Sequence, residues 1–164
     1  MPSTRRDLLR AGAGAGLAAT SLARGAFAQD AKTADRPMPF RDLGKTGMKV
    51  AILSVGGHHL SRCEEDVAIA IVHRALDFGI NFFDNAWNYF SGKSEERLGK
   101  ALKGRRDKVF VMTKSEERKK EGALRQIDES LKRMQTDYLD LWQFHALQKV
   151  EDVETIWGPG GAME

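Results

Sequence analysis

The stretch Ile80-Asn81-Phe82-Phe83-Asp84-Asn85-Ala86-Trp87-Asn88-Tyr89 decides how this chain is read. Ile80–Phe83 is a short apolar run, the length of a buried strand, and it stops on a carboxylate. Helical patterns flank it on both sides. Working outwards, comparable runs occupy Ala51–Val55, Val109–Met112 and Tyr138–Phe144, and successive starts lie 29 residues apart each time. Before the second run, Ser61-Arg62-Cys63-Glu64 has the form of a capping box, and Val67, Ile71, Ala75 and Phe78 make an apolar stripe that Gly79 ends. After it, a helix is expected from Ser94, with Glu95 and Glu96 in its first turn. That helix buries Leu98, Ala101 and Leu102 and stops at Gly104. A third stripe follows at Leu124, Ile127, Leu131 and Met134. Strands and helices in strict alternation make an α/β fold with parallel strands and right-handed crossovers. Periodicity leaves two architectures open, a doubly wound sheet and a (β/α)8 barrel.

Ahead of the repeat, Met38–Leu43 and Met48–Val50 flank Gly44-Lys45-Thr46-Gly47, the chemistry of a hairpin turn. Before that lies an address. Arg5, Arg6 and Arg10 precede a small-residue stretch from Ala11 to Ala23, and Ala26-Phe27-Ala28 offers a cleavage site. Thr4-Arg5-Arg6-Asp7-Leu8-Leu9-Arg10 resembles the twin-arginine motif of the Tat export machinery. Residues 1–28 are therefore expected to be a signal peptide, 29–37 a linker, and the mature protein periplasmic. The Gly- and Ala-rich stretch is short of a stable membrane span.

Composition narrows the function classes. The 164 residues hold 26 Lys+Arg against 23 Asp+Glu. Arg5, Arg6, Arg10, Arg24 and Asp7 account for the whole excess, leaving 22 bases and 22 acids after residue 28. A neutral body gives no electrostatic footprint for nucleic acid. The single Cys cannot close an internal disulfide. His58-His59 has no carboxylate or Cys at ligand spacing, so no metal site is expected.

The polar residues fall in one place. Three successive strands finish on Asp84, Lys114 and His145, and Tyr89 follows the first of them by five residues. In either parallel architecture the carboxyl ends of the strands share a rim. A tyrosine hydroxyl, with an ordinary pKa of about 10, is a poor acid near neutrality. An adjacent ammonium favours the phenolate, a carboxylate holds that ammonium in place, and an imidazole can orient a carbonyl. Such a set suits protonation of a carbonyl oxygen while hydride arrives at carbon.

Phe83-Asp84-Asn85-Ala86 with Tyr89, then Gly92-Lys93-Ser94-Glu95, resembles the aldo/keto reductases. So do Arg41-Asp42-Leu43-Gly44-Lys45-Thr46-Gly47, Thr113-Lys114, and Asp137-Tyr138-Leu139-Asp140-Leu141 with His145. The resemblance covers residues 38–164. It implies the N-terminal half of a (β/α)8 TIM barrel, capped by the hairpin and truncated after strand four. It implies NADPH (or NADH) as hydride donor and reduction of a small aldehyde or ketone to an alcohol. Asp84, Tyr89, Lys114 and His145 would be the catalytic set, with Tyr89 the acid. Gly56, Gly57, His58 and Asp84 would approach the nicotinamide ribose, although Gly57 stands where many members have Thr. The family's remaining cofactor contacts lie mainly after strand four, so the 164-residue polypeptide alone is expected to be inactive.

Free NADPH is not expected outside the cytoplasm, which motivates an alternative: a non-catalytic cofactor-binding sensor or accessory subunit on the same fold. A half-barrel that pairs with a second copy is a third reading. Trp87 is expected to wall the pocket, Cys63 to be structural or incidental, and Glu116–Glu121 to form a solvated loop and the start of a helix. Gly158–Glu164 reads as a loop leading into the first turn of another helix.

Overall fold

The computed structural model describes residues 37–164. The expected signal peptide and the linker up to residue 36 lie outside the described residues. The antiparallel pair β1 (Phe40–Asp42) and β2 (Lys49–Ala51) forms the expected hairpin, in the register Phe40↔Ala51. Four parallel strands follow: β3 (Val55–Gly56), β4 (Phe82–Asp84), β5 (Phe110–Ser115) and β6 (Leu141–Phe144). Helices α1 (Glu65–Asp77), α2 (Lys93–Leu102) and α3 (Lys120–Met134) connect them, and α4 (Val150–Trp157) comes after β6.

The sheet order is β3-β4-β5-β6, with no reversal. A doubly wound sheet reverses its strand order at a switch point; a barrel does not. The arrangement is therefore that of a partial (β/α)8 barrel. Alternation splits the sheet into two faces. Phe83 and Val111 join the core with Ala68, Val72, Leu98, Ala101, Leu102 and Met134 on the helix side. Gly99 makes this packing possible, because a Cβ there would come within 2.6 Å of the Met134 backbone.

Several expectations are corrected. Ala51 belongs to the hairpin, not to the first barrel strand, and Ile52 and Leu53 are exposed. Strand starts are consequently 27, 28 and 31 residues apart rather than uniform. The capping box does not form: α1 is preceded by Glu64, which makes no side-chain cap hydrogen bond. Its buried face is Ala68, Val72 and Ala75, whereas Val67, Ile71 and Phe78 are exposed. In α3 the buried row is Ala123, Gln126, Ser130 and Met134, with Leu124 exposed. Tyr138 lies before β6 rather than in it. Helix α4 was not anticipated, and after it the chain turns back, with Met163 N–H donating to the Ile156 carbonyl (3.0 Å).

Candidate active site

The register of β4 on β5 pairs Asp84 with Met112. Lys114 stands two residues further along, so it projects from the same face as Met112. Its ammonium donates to the Asp84 carboxylate and to the Asn85 carbonyl (2.6 Å). The same ammonium lies 5.3 Å from the centre of the Tyr89 ring. His145 follows β6, and its backbone N–H donates to the Ser115 carbonyl at 2.7 Å. Its imidazole stands edge-on to Tyr89 at 5.7 Å between ring centres. Asp84, Tyr89, Lys114 and His145 thus share the carboxyl-end rim.

Tyr89 is delivered by an unusual turn. Phe90, Ser91 and Gly92 are all left-handed, at φ 51°, 56° and 88°. Non-glycine residues seldom adopt that conformation, and such strain gathers where a side chain must be aimed. A cavity of about 390 Å³ opens beside it, lined by His58, Asn88, Tyr89, Phe90 and His145. A larger hollow of about 730 Å³ lies at the opposite end of the strands, near Arg106 and Tyr138. There Arg106 lies over Tyr138, 3.9 Å from the ring centre, but the tyrosine hydroxyl is engaged by the Arg106 carbonyl (3.2 Å) and no histidine of the described residues lines the hollow, so chemistry favours the smaller cavity.

Burial and the Lys114 ammonium both push the His145 imidazole below its ordinary pKa of 6.5, outweighing the opposing pull of Glu116 and Asp84. Its Nδ1 is buried and finds no partner among the described residues. Arg118 donates to the His145 carbonyl (2.8 Å) and pairs with Asp152 (3.4 Å). It is therefore a structural part of the rim, not of a solvated loop as expected.

The residues expected to meet a cofactor divide. Gly56 is exposed, with open space where a Cβ would stand. Gly57 is buried; a Cβ there would lie 2.8 Å from the Asn85 side chain and 2.9 Å from the Asp84 carbonyl. Its bareness serves packing under the rim. His58 stacks edge-on to Tyr89 at 5.1 Å and to His59 at 5.0 Å. The two histidines sit on a 3-10 turn (Gly57–His59). Trp87 is turned away from the cavity: its indole N–H donates to Glu129 on α3 (2.8 Å).

Sequence reasoning missed Glu95 and Asn85. Glu95 is fully buried and accepts from Thr113 (2.6 Å) and Ser130 (2.8 Å). Asn85 is fully buried under Gly57, with its Nδ2 unpartnered among the described residues. The one available signal was the hydroxyl and amide row of α3, which reads as solvent-facing until a buried acceptor is placed opposite it.

A sequential parallel sheet that gathers Asp, Tyr, Lys and His at its carboxyl-end rim defines the class as a barrel with a polar mouth. Residues 52–163 match the model of the aldo/keto reductase family, and the chain belongs to that family. It is 34% identical over 125 residues to aldo-keto reductase YhdN of Bacillus subtilis, covering 66% of this chain and 38% of that protein. Among solved structures it resembles aldo-keto reductase AKR11C1 from Bacillus halodurans in its holo form. That match has a TM-score of 0.67 and 35% identity, over 73% of this chain and 44% of the other. It also resembles an aldo-keto reductase from Klebsiella pneumoniae in complex with NADPH, at a TM-score of 0.57 and 30% identity, over 66% and 40%. The chain spans about two fifths of the length of the curated relatives it matches.

Proposed function

We propose that this protein is an NAD(P)H-dependent oxidoreductase that reduces small aldehydes or ketones to alcohols. The observation that carries the reading is the placement of the Lys114 ammonium, held by Asp84, 5.3 Å from the Tyr89 ring centre. A fixed cation stabilises the phenolate that develops as Tyr89 gives its proton to a carbonyl oxygen. His145, kept neutral by burial and by Lys114, offers that oxygen a hydrogen bond without a second positive charge. His58 and Phe90 wall the cavity in which the carbonyl compound would sit.

The bare backbone of Gly56, paired in register with Asp84, fits the nicotinamide end of the cofactor. Gly56, His58 and Asp84 would hold that end, and the cofactor when bound supplies hydride to the carbonyl carbon. The remaining contacts of the family's site are expected after strand four, so we propose that the 164-residue polypeptide alone does not turn over. Export through the Tat route to the periplasm is part of the proposal and rests on residues 1–28.

The test follows NADPH and NADH oxidation by a panel of small aldehydes and ketones. It uses protein isolated from its native host, at whatever mass it is found, and the 164-residue chain alone. Tyr89→Phe is expected to lower kcat by roughly 10²–10⁴-fold, the typical contribution of a positioned acid, while cofactor binding is retained. An unchanged rate removes Tyr89 from the acid role. Cofactor binding with no carbonyl compound ever reduced replaces the enzyme reading with the sensor or accessory-subunit alternative. Fractionation of the native host tests localisation: protein retained wholly in the cytoplasm overturns the export proposal.

A further inference from the structure

We infer that Glu95 is a positioning residue for the Tyr89 and Lys114 pair, reaching the lysine's strand through Thr113 and the tyrosine's loop through Arg133. This rests on the reading of that pair as the proton-transfer apparatus. Glu95 is wholly buried, and a carboxylate taken out of water is costly unless its lone pairs are filled. They are filled: the Thr113 and Ser130 hydroxyls donate to Oε1 at 2.6 and 2.8 Å, and Arg133 donates to Oε2 at 3.1 Å.

The far ends of these contacts matter more than their number. Thr113 precedes Lys114 in β5, so anchoring Thr113 on the helix side directs its neighbour to the opposite, rim-lining face. The Arg133 nitrogen that meets Glu95 also donates to the Trp87 carbonyl (3.0 Å). Its other terminal nitrogen reaches Glu129 (3.4 Å), which in turn accepts the Trp87 indole N–H. The Trp87 backbone N–H donates to the Lys114 carbonyl (2.9 Å). Arg133 also fills the space beside Gly92, where a Cβ would collide with its guanidinium. One buried carboxylate therefore governs the strand that carries Lys114 and both ends of the Trp87–Gly92 loop that carries Tyr89. A pair serving packing alone could be replaced by apolar residues at little cost.

The chain has two tyrosines, which supplies a reporter and its control. Tyr138 lies at the opposite end of the barrel, its hydroxyl on the Arg106 carbonyl (3.2 Å). Fluorotyrosine incorporated into the 164-residue chain gives two fluorine resonances, assigned with Tyr138→Phe. Glu95→Gln and Arg133→Met are each expected to displace the Tyr89 resonance and leave that of Tyr138 in place. The double variant is expected to displace it no further than the larger single one, because both act along one path. An unmoved Tyr89 resonance in folded variants, equal movement of both resonances, or additive displacements would overturn the inference. Arg133 is partly exposed, so Arg133→Met decides the matter if Glu95→Gln does not fold. No turnover is read, so absence of carbonyl reduction overturns the catalytic reading without touching the coupling.

Discussion

Asp84 and Lys114, thirty residues apart in sequence, meet because β4 and β5 pair Asp84 with Met112 and place Lys114 one pleat further on. The lysine side chain is 13% exposed and its other acceptor is the Asn85 carbonyl. Asp84→Ala leaves a mostly buried ammonium with that carbonyl. The expected loss of stability is roughly 1.5–3 kcal/mol, the range for a hydrogen bond to a charged group. Urea unfolding of the two chains measures it, and an unchanged midpoint would show the pair to be stabilising nothing.

Neighbouring glycines make a controlled comparison. Gly57→Ala would press a methyl group against Asn85 and the Asp84 carbonyl, where overpacking costs about 1–3 kcal/mol. Gly56→Ala meets open space. Thermal unfolding should therefore separate the two, with the first well below the parent and the second close to it. Equal effects would contradict the packing role given to Gly57.

The turn after Tyr89 is testable through its second residue. Ser91 is exposed and left-handed at φ 56°, a conformation that costs an L-residue about 1–2 kcal/mol relative to glycine. Ser91→Gly should match or exceed the parent's stability, and Ser91→Val should fall below it. The reverse order in a denaturant titration would refute the strained geometry.

His145 links the site to pH. Its protonated form is disfavoured in the folded chain, so the unfolded chain takes up the proton first as pH falls. The stability it contributes is complete above its ordinary pKa of 6.5 and declines as pH drops into the window below that value. Proton NMR titration of its imidazole should give a midpoint under 6.5. Lys114→Met should raise that midpoint by removing one of the lowering charges and unmasking Asp84. A midpoint at or above 6.5 in the parent contradicts the burial argument.

How far the structure was legible follows from what each residue packs against. The hairpin and the α/β alternation were readable because turn chemistry and apolar runs act locally. The choice between a barrel and an open sheet needed either the family motifs or the observed strand order. The first barrel strand was misplaced because it is two residues long, and the apolar Ile52 and Leu53 before it are solvent-facing. Helices α1 and α3 each carry two candidate rows, and pattern alone selected the one with the bulkier apolar side chains. In α1 the buried residues are Ala68, Val72 and Ala75, which join Phe83 and Leu98 in the core. In α3 the buried row includes Gln126 and Ser130, which find Ser115 and Glu95 opposite them. Their polarity marked them as outward until those partners were known. Asp84, Lys114 and His145 were legible because each falls at the carboxyl end of a strand, and Tyr89 because it closely follows the first of them. Glu95 was not, because an acid in the first turn of a helix is ordinarily solvated there.

The strictly sequential strand order has a bearing on ancestry. Asp84, Tyr89, Lys114 and His145 fall at the ends of three consecutive strands and in one intervening loop, so the single stretch 84–145 of the chain holds the whole set. Glu95 and Arg133, with their shared hold on Trp87, fall inside the same run. A recombination event with both breakpoints outside residues 84–145 transmits the four groups together with the carboxylate that braces them. Divergence in the flanking repeats can then alter what the mouth admits while the four rim groups are inherited intact.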